Sequence, residues 1–162
     1  MRVLVAYGSK RGGTEGLAQM LGMALEDEGF DITVMAAPRV MDVRPFDAVI
    51  LGGALYTNRW HKDSRRFTKR HRDSLVGRPV WLFSSGPLDD SALSTDIPPV
   101  RHVAKAMDQV DATAHITFGG RLAADATGFP ASAMAKSNAG DWRDPDQVKD
   151  WAKRISDELR TA

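Results

Sequence analysis

The sequence predicts a doubly wound α/β domain, because short continuous apolar runs alternate along it with stretches of helical periodicity. Val3 to Tyr7, Ala48-Val49-Ile50-Leu51 and Val80-Trp81-Leu82-Phe83 lack the in-out alternation of a half-exposed strand, so they read as strands covered on both faces. Glycine-rich or polar turns follow each run directly, where a parallel sheet places its ligands.

Taken in order, the first strand is Val3 to Tyr7, followed by a helix from about Thr14 with Leu17, Met20, Leu21, Ala24 and Leu25 on one stripe and Gly29 at its close. Ile32 and Val34 alternate with polar residues and predict an edge strand, and Ala48–Leu51 a central one. A basic helix is expected from about Lys62 to Leu75, with Phe67 and Leu75 inward. The fourth strand is Val80–Phe83. Pro99 suits the first turn of the next helix, whose inner stripe would be Val100, Val103, Ala104 and Met107; Ile116-Thr117-Phe118 then forms the fifth strand. The last helix has Asp144 as N-cap, Pro145 in its first turn and Gln147 at the capping-box position, with Val148, Trp151, Ala152, Ile155 and Leu159 as its stripe. Residues 1–162 read as a single domain without repeat or linker, and only the stretch between Gly119 and Arg143 is longer than a strand-to-helix turn requires.

Composition narrows the chemistry. The chain has no cysteine, which excludes disulfides, thiolate nucleophiles, iron–sulfur clusters and cysteine-bound zinc. No apolar stretch approaches the roughly 20 residues of a membrane span, so a soluble cytoplasmic protein is expected. The net charge of +1 is unevenly distributed. Between Arg59 and Asp73, seven Lys/Arg face two Asp, a local +5, while the remainder carries 15 Lys/Arg against 19 Asp/Glu, or −4.

Three segments occupy predicted strand ends. In Ser9-Lys10-Arg11-Gly12-Gly13-Thr14 the glycines let backbone N–H groups converge, the following helix adds the positive end of its dipole, and Ser9 and Thr14 offer hydroxyls. This chemistry suits a phosphomonoester; the nucleotide P-loop and dinucleotide fingerprints are absent from the turn. After the third strand, Gly52-Gly53-Ala54-Leu55-Tyr56-Thr57-Asn58-Arg59-Trp60 permits close approach to a flat ligand. Tyr56 or Trp60 could stack on it, or Trp60 could begin the next helix and pack inward. After the fourth strand, Ser84-Ser85-Gly86-Pro87-Leu88-Asp89-Asp90 offers amides and hydroxyls to the polar edge of a heterocycle.

Together these loops resemble those of the flavodoxin-like FMN-binding proteins. In the phosphate motif Thr/Ser-x-Thr-Gly-x-Thr of that family, Ser9, Gly12 and Thr14 match, and Arg11 replaces the central hydroxyl residue with a charge. The resemblance covers essentially the whole chain. It implies a three-layer sandwich with a five-stranded parallel sheet of order 2-1-3-4-5 and helices on both faces. It further implies FMN as cofactor, with Ser9, Lys10, Arg11, Gly12, Gly13 and Thr14 on the phosphate. Gly53, Ala54, Leu55, Tyr56, Thr57 and Asn58 would lie along the flavin, and Ser84, Ser85, Gly86, Pro87 and Leu88 at its polar edge. The chemistry would then be carried by the flavin, with no catalytic side chain and no metal. Within the superfamily, Leu51-Gly52-Gly53-Ala54-Leu55-Tyr56 before a basic helix, and Asp141-Trp142-Arg143-Asp144-Pro145-Asp146-Gln147-Val148, are similar to the bacterial flavodoxin-type protoporphyrinogen IX dehydrogenases, which pass electrons to a quinone. Where those enzymes carry a longer basic and hydrophobic insertion, residues 120–140 here are rich in small side chains.

The leading expectation is therefore an FMN-dependent oxidoreductase acting on a small redox substrate, a quinone or porphyrinogen; the alternative is a flavodoxin-type electron carrier serving a redox protein. The basic residues of 59–73 could meet substrate carboxylates, anionic lipid at a membrane surface or an acidic protein, whereas few aromatics and near-neutral charge argue against nucleic acid. His61, nearest the proposed site, could relay a proton but reads as a surface histidine; the four histidines form no metal-like cluster. A phosphoryl-accepting signalling domain is excluded because the third strand ends in Leu51-Gly52-Gly53, without aspartate.

Overall fold

A computed structural model of the chain describes residues 1–10, 12–122 and 140–161. Its elements are β1 (Arg2–Gly8), α1 (Gly13–Asp27), β2 (Asp31–Ala36), β3 (Ala48–Tyr56), β4 (Arg59–Trp60), α2 (Lys62–Arg70), α3 (Arg72–Leu75), β5 (Val80–Ser85), α4 (Ser91–Ser94), α5 (Arg101–Val110), β6 (Ala114–Phe118), β7 (Arg121–Leu122), β8 (Gly140–Asp141) and α6 (Pro145–Thr161). The parallel sheet has the order β2-β1-β3-β5-β6, which is the expected arrangement of the five anticipated strands. β4 adds a sixth strand antiparallel to β3, and β7 and β8 form a separate two-stranded ribbon.

Each central strand alternates between two apolar layers. Val3 and Val5, Ala48 and Ile50, and Trp81 and Phe83 face α1 and α6; Leu4 and Ala6, Val49 and Leu51, and Val80 and Leu82 face α2, α3 and α5. Both faces are dry, which is why the strands read as continuous apolar runs. In the first layer Phe83, Phe118 and Trp151 meet edge to face, with ring centroids 5.6 to 6.1 Å apart. The anticipated stripe of α6 is buried in full, and β2 lies at the sheet edge as its alternation predicts.

Four local expectations are corrected. The basic segment is a strand, a helix and a short second helix, because His71 adopts φ −103°, ψ 11°, and breaks the run between α2 and α3. Helix α5 starts at Arg101, so Pro99 precedes it, and its buried stripe is Val103, Ala106 and Val110; the larger Val110 takes an inward position while Ala104 is exposed. Asp144 caps α6 through Asp146 N, 3.0 Å, but Gln147 does not close a capping box. Its Nε2 donates instead to the Ala92 carbonyl, 2.9 Å, tying α6 to α4. Finally, Gly52 and Gly53 lie within β3, and each makes room for an aromatic ring on its own face of the sheet. A Cβ on Gly52 would enter the Phe83 ring, and one on Gly53 would enter the Trp60 indole.

At the far side of β5, Ser84 and His115 share a hydrogen bond, Oγ to Nε2, 3.0 Å. Burial lowers the His115 pKa to about 4, against a smaller opposing pull from Asp96.

Two tests follow from this packing. Gly52→Ala should cost about 1–3 kcal/mol, read as a lower thermal midpoint, since a rigid buried ring has no room to yield. Because the unfolded His115 takes up a proton near its ordinary pKa and the folded one only near pH 4, folding stability should fall as pH drops through that interval. Allowing for its partial exposure, the loss is about 2 kcal/mol, and it should be absent from His115→Gln in denaturant titrations across the same range.

Candidate functional site

Parallel register brings the three predicted segments side by side. Gly8 at the end of β1 pairs with Gly53, Gly53 pairs with Ser84, and Ser84 pairs with Thr117. The chain leaving β1, the end of β3 and the chain leaving β5 therefore border one another at the carboxyl edge of the sheet, where ligands of such folds bind.

The first segment is organised around a helix mouth. Gly12 has φ +83° and serves as the N-cap of α1, a conformation that a Cβ would strain. Its N–H donates to Ser9 Oγ, 3.0 Å, which curls the turn back on itself. The first intrahelical bond runs from Gly16 N to Gly12 O, 3.0 Å, so the amides of Gly13, Thr14 and Glu15 have no acceptor within the helix. Thr14 is 1% exposed, and its buried Oγ1 has no hydrogen-bond partner among the described residues. A buried hydroxyl left unpaired costs about 1–3 kcal/mol, so its presence beside three free amides marks a place prepared for acceptor oxygens. Lys10 is exposed beside it, and Arg11 lies outside the described residues.

The second segment differs from a loop. β3 continues through Gly53, Ala54, Leu55 and Tyr56, turns at Thr57 and Asn58 with φ 48° and 61°, and returns as β4. Positive φ at both central residues is the tight hairpin turn that follows the sheet's own twist. Trp60 is 1% exposed and packs inward on Gly53, while Tyr56 is half-buried at the strand end, its ring 6.3 Å from that of His61. His61, expected at the surface, is buried and caps α2 by accepting from Asp63 N at Nδ1, 3.0 Å. Burial lowers its pKa, outweighing Asp63, which keeps the ring neutral in that role.

In the third segment the hydroxyl of Ser84 is engaged by His115, and Gly86 N donates to Phe118 O, 3.2 Å. Ser85 is buried in β5 as well, whereas Gly86, Pro87 and Leu88 are half-exposed. The Pro87 carbonyl accepts from Gly120 N, 2.8 Å, which fastens this turn to the approach to β7.

Two residues that sequence reasoning did not assign to the site arrive from the C-terminal part of the chain. Arg143 reaches the Gly13 carbonyl, Nη1 to O, 3.4 Å, and is held in a two-point grip by Asp141, Nε to Oδ1 2.9 Å and Nη2 to Oδ2 2.7 Å. That grip lowers the Asp141 pKa and raises that of Arg143, so both stay charged. Arg121 also runs past Gly13, with its backbone 3.7 Å from where a Gly13 Cβ would stand. No local pattern links residue 143 to residue 13; the packing of α6 on α1 and the ribbon β7–β8 bring them together. Beneath the mouth, burial and then Glu15 raise the Tyr7 pKa, so the phenol remains neutral. Among the described residues, no three His, Asp or Glu side chains gather as a metal site would need.

A convergent set of amides, a waiting hydroxyl and nearby cations fits a phosphate dianion. The half-buried Tyr56 and the half-exposed turn Gly86-Pro87-Leu88, at neighbouring strand ends, fit a flat heteroaromatic attached to it. The chain is similar in fold to a flavodoxin from the domain Archaea, at 16% identity, a TM-score of 0.66 and 99% coverage of both chains. It is similar to oxidised flavodoxin 2 from Bacillus cereus, at 17% identity and TM-score 0.64, covering 98% of this chain and 99% of that one. It also matches 36% of rubredoxin oxygen:oxidoreductase from Desulfovibrio gigas over 99% of its own length, at 14% identity and TM-score 0.67. Among curated proteins no match is found. The family model of the flavodoxin domain matches residues 4–137, and the chain belongs to that family, whose cofactor is FMN.

Proposed function

We propose that this protein is an FMN-dependent oxidoreductase that exchanges electrons with a redox partner across the carboxyl edge of its sheet. The observation that carries the reading is the buried Thr14 hydroxyl, unpaired among the described residues, beside the α1 amides that have no acceptor within the helix. When bound, FMN supplies the electron-transfer chemistry. Ser9, Lys10, Arg11, Gly12, Gly13 and Thr14 would hold its phosphate, and Arg143, braced by Asp141, keeps positive charge at the helix mouth. Gly53 to Asn58 would border the ring system, with Tyr56 the candidate to stack on it, and Ser84 to Leu88 would border its polar edge. Because Ser84 is committed to His115, the contacts there fall to backbone groups around Pro87 and Leu88.

A second reading, oxidation of protoporphyrinogen IX with a quinone as acceptor, is favoured by the similarity of the Leu51–Tyr56 and Asp141–Val148 segments to the enzymes of that reaction. Steady-state oxidation of protoporphyrinogen IX by the FMN-loaded protein with a soluble quinone supports this reading. Reduction of a partner protein without such turnover favours the electron-transfer role.

For the main reading, Thr14→Ala should weaken FMN binding about tenfold in a fluorescence-quenching titration, the usual loss for one hydrogen bond to a charged group. Its far-ultraviolet circular dichroism should match the wild type. Unchanged affinity would place the phosphate elsewhere.

A further inference from the structure

A cleft of about 120 Å³ opens between α2 and α5, lined by Arg65, Thr68, Lys69, His102, Lys105 and Gln109. Its cations come from two helices distant in sequence, so the basic helix anticipated from 59–73 is only half of it. Arg65 is fixed in place, its Nε donating to the Trp60 carbonyl at 3.0 Å, while Thr68 Oγ1 donates to the Arg65 carbonyl at 2.8 Å. No carboxylate lines the cleft among the described residues. Among the described residues no carboxylate forms an ion pair with Arg59, Arg65, Lys69, Arg101 or Lys105 either. The Nδ1 of His102 is buried there with no partner among the described residues. Burial, and then Arg65, Arg59, Arg101 and Lys105, lower the His102 pKa, and every charged group acting on this ring is positive. Crowded, uncompensated cations of this kind repel one another until an anion enters.

The surroundings select the kind of anion. Charge continues past the cleft on the exposed Arg59, Arg66 and Arg101, a wider field than one small ion needs. A membrane-binding face would need apolar side chains to enter the acyl layer, yet Phe67 of α2 is fully buried. The exposed large apolar residues, Met1, Met23, Met41, Val76 and Leu93, lie outside both helices. Arg59 stands on the hairpin that begins at Tyr56, so a body seated here would adjoin the strand ends.

We propose that the α2–α5 cleft and its basic rim dock an acidic redox protein, with one partner carboxylate seated among Lys69, His102 and Lys105. The proposal rests on the electron-transfer reading for the nature of the partner, and on the cleft alone for its charge. Hexaglutamate peptide titrated by calorimetry into the FMN-loaded protein at low ionic strength tests it. Lys69→Glu combined with Lys105→Glu should weaken peptide binding more than about tenfold while leaving the flavin spectrum intact. Binding should also tighten as pH falls below the ordinary histidine range, because the seated carboxylate favours the charged ring that burial and the surrounding cations disfavour, and His102→Gln should flatten that dependence. Equal binding by the double variant overturns the proposal. So does stronger binding of inorganic phosphate than of peptide, or binding of phosphatidylserine vesicles without binding of peptide. Failure of the chain to retain FMN sinks the flavin reading and not the cleft, because the titration needs no electron transfer.

Discussion

The free amides at the mouth of α1 are the constraint around which this molecule is arranged. A helix start leaves several N–H groups without acceptors, and most helices satisfy them with a side chain or with water. Here Gly12 occupies the cap position and supplies no side chain, its own N–H is turned to Ser9, and the Thr14 hydroxyl is buried beside the orphans with no partner among the described residues. A ligand with several acceptor oxygens and negative charge resolves all of these at once, and a neutral one does not.

The remainder of the sheet serves to set other surfaces next to that mouth. Register across β1, β3 and β5 fixes which residues adjoin it, and the glycine pair of β3 lets two large rings close the layers on either side. Phe83 over Gly52 and Trp60 over Gly53 replace side chains that would otherwise have to come from β3 itself. The close approach made possible by those glycines is thus used by the protein's own core. Arg143 adds a tie from the other end of the chain, with Asp141 holding the guanidinium against the first turn of α1.

The layer order, the buried strands and the stripe of α6 were legible in the sequence because each depends on local periodicity and on burial of both sheet faces. The helix mouth was legible too, since its glycines and hydroxyls are consecutive. What escaped depends on contacts between distant segments. His61 looks like a surface residue, and Trp60 stays open between a ligand and the core, until the hairpin β3–β4 folds both inward, and Gln147 fits a capping box until its amide donates to the Ala92 carbonyl. The α2–α5 cleft escaped for the same reason: Lys105 and His102 carry no pattern that points to Lys69. The start of α5 was misplaced because Pro99 suits both a helix's first turn and the extended segment before it.

The electrostatic plan of the molecule is consistent with a bound anion at one end and an anionic body at its flank, two demands separated in space and met by different cations. The first is the foundation of the account, and comparing dissociation constants of FMN and riboflavin tests it most directly, since the two ligands share the ring system and differ in the phosphate. If the mouth of α1 grips that group, riboflavin binds at least about a hundredfold more weakly, roughly 2.7 kcal/mol. Equal affinity for the two would contradict it.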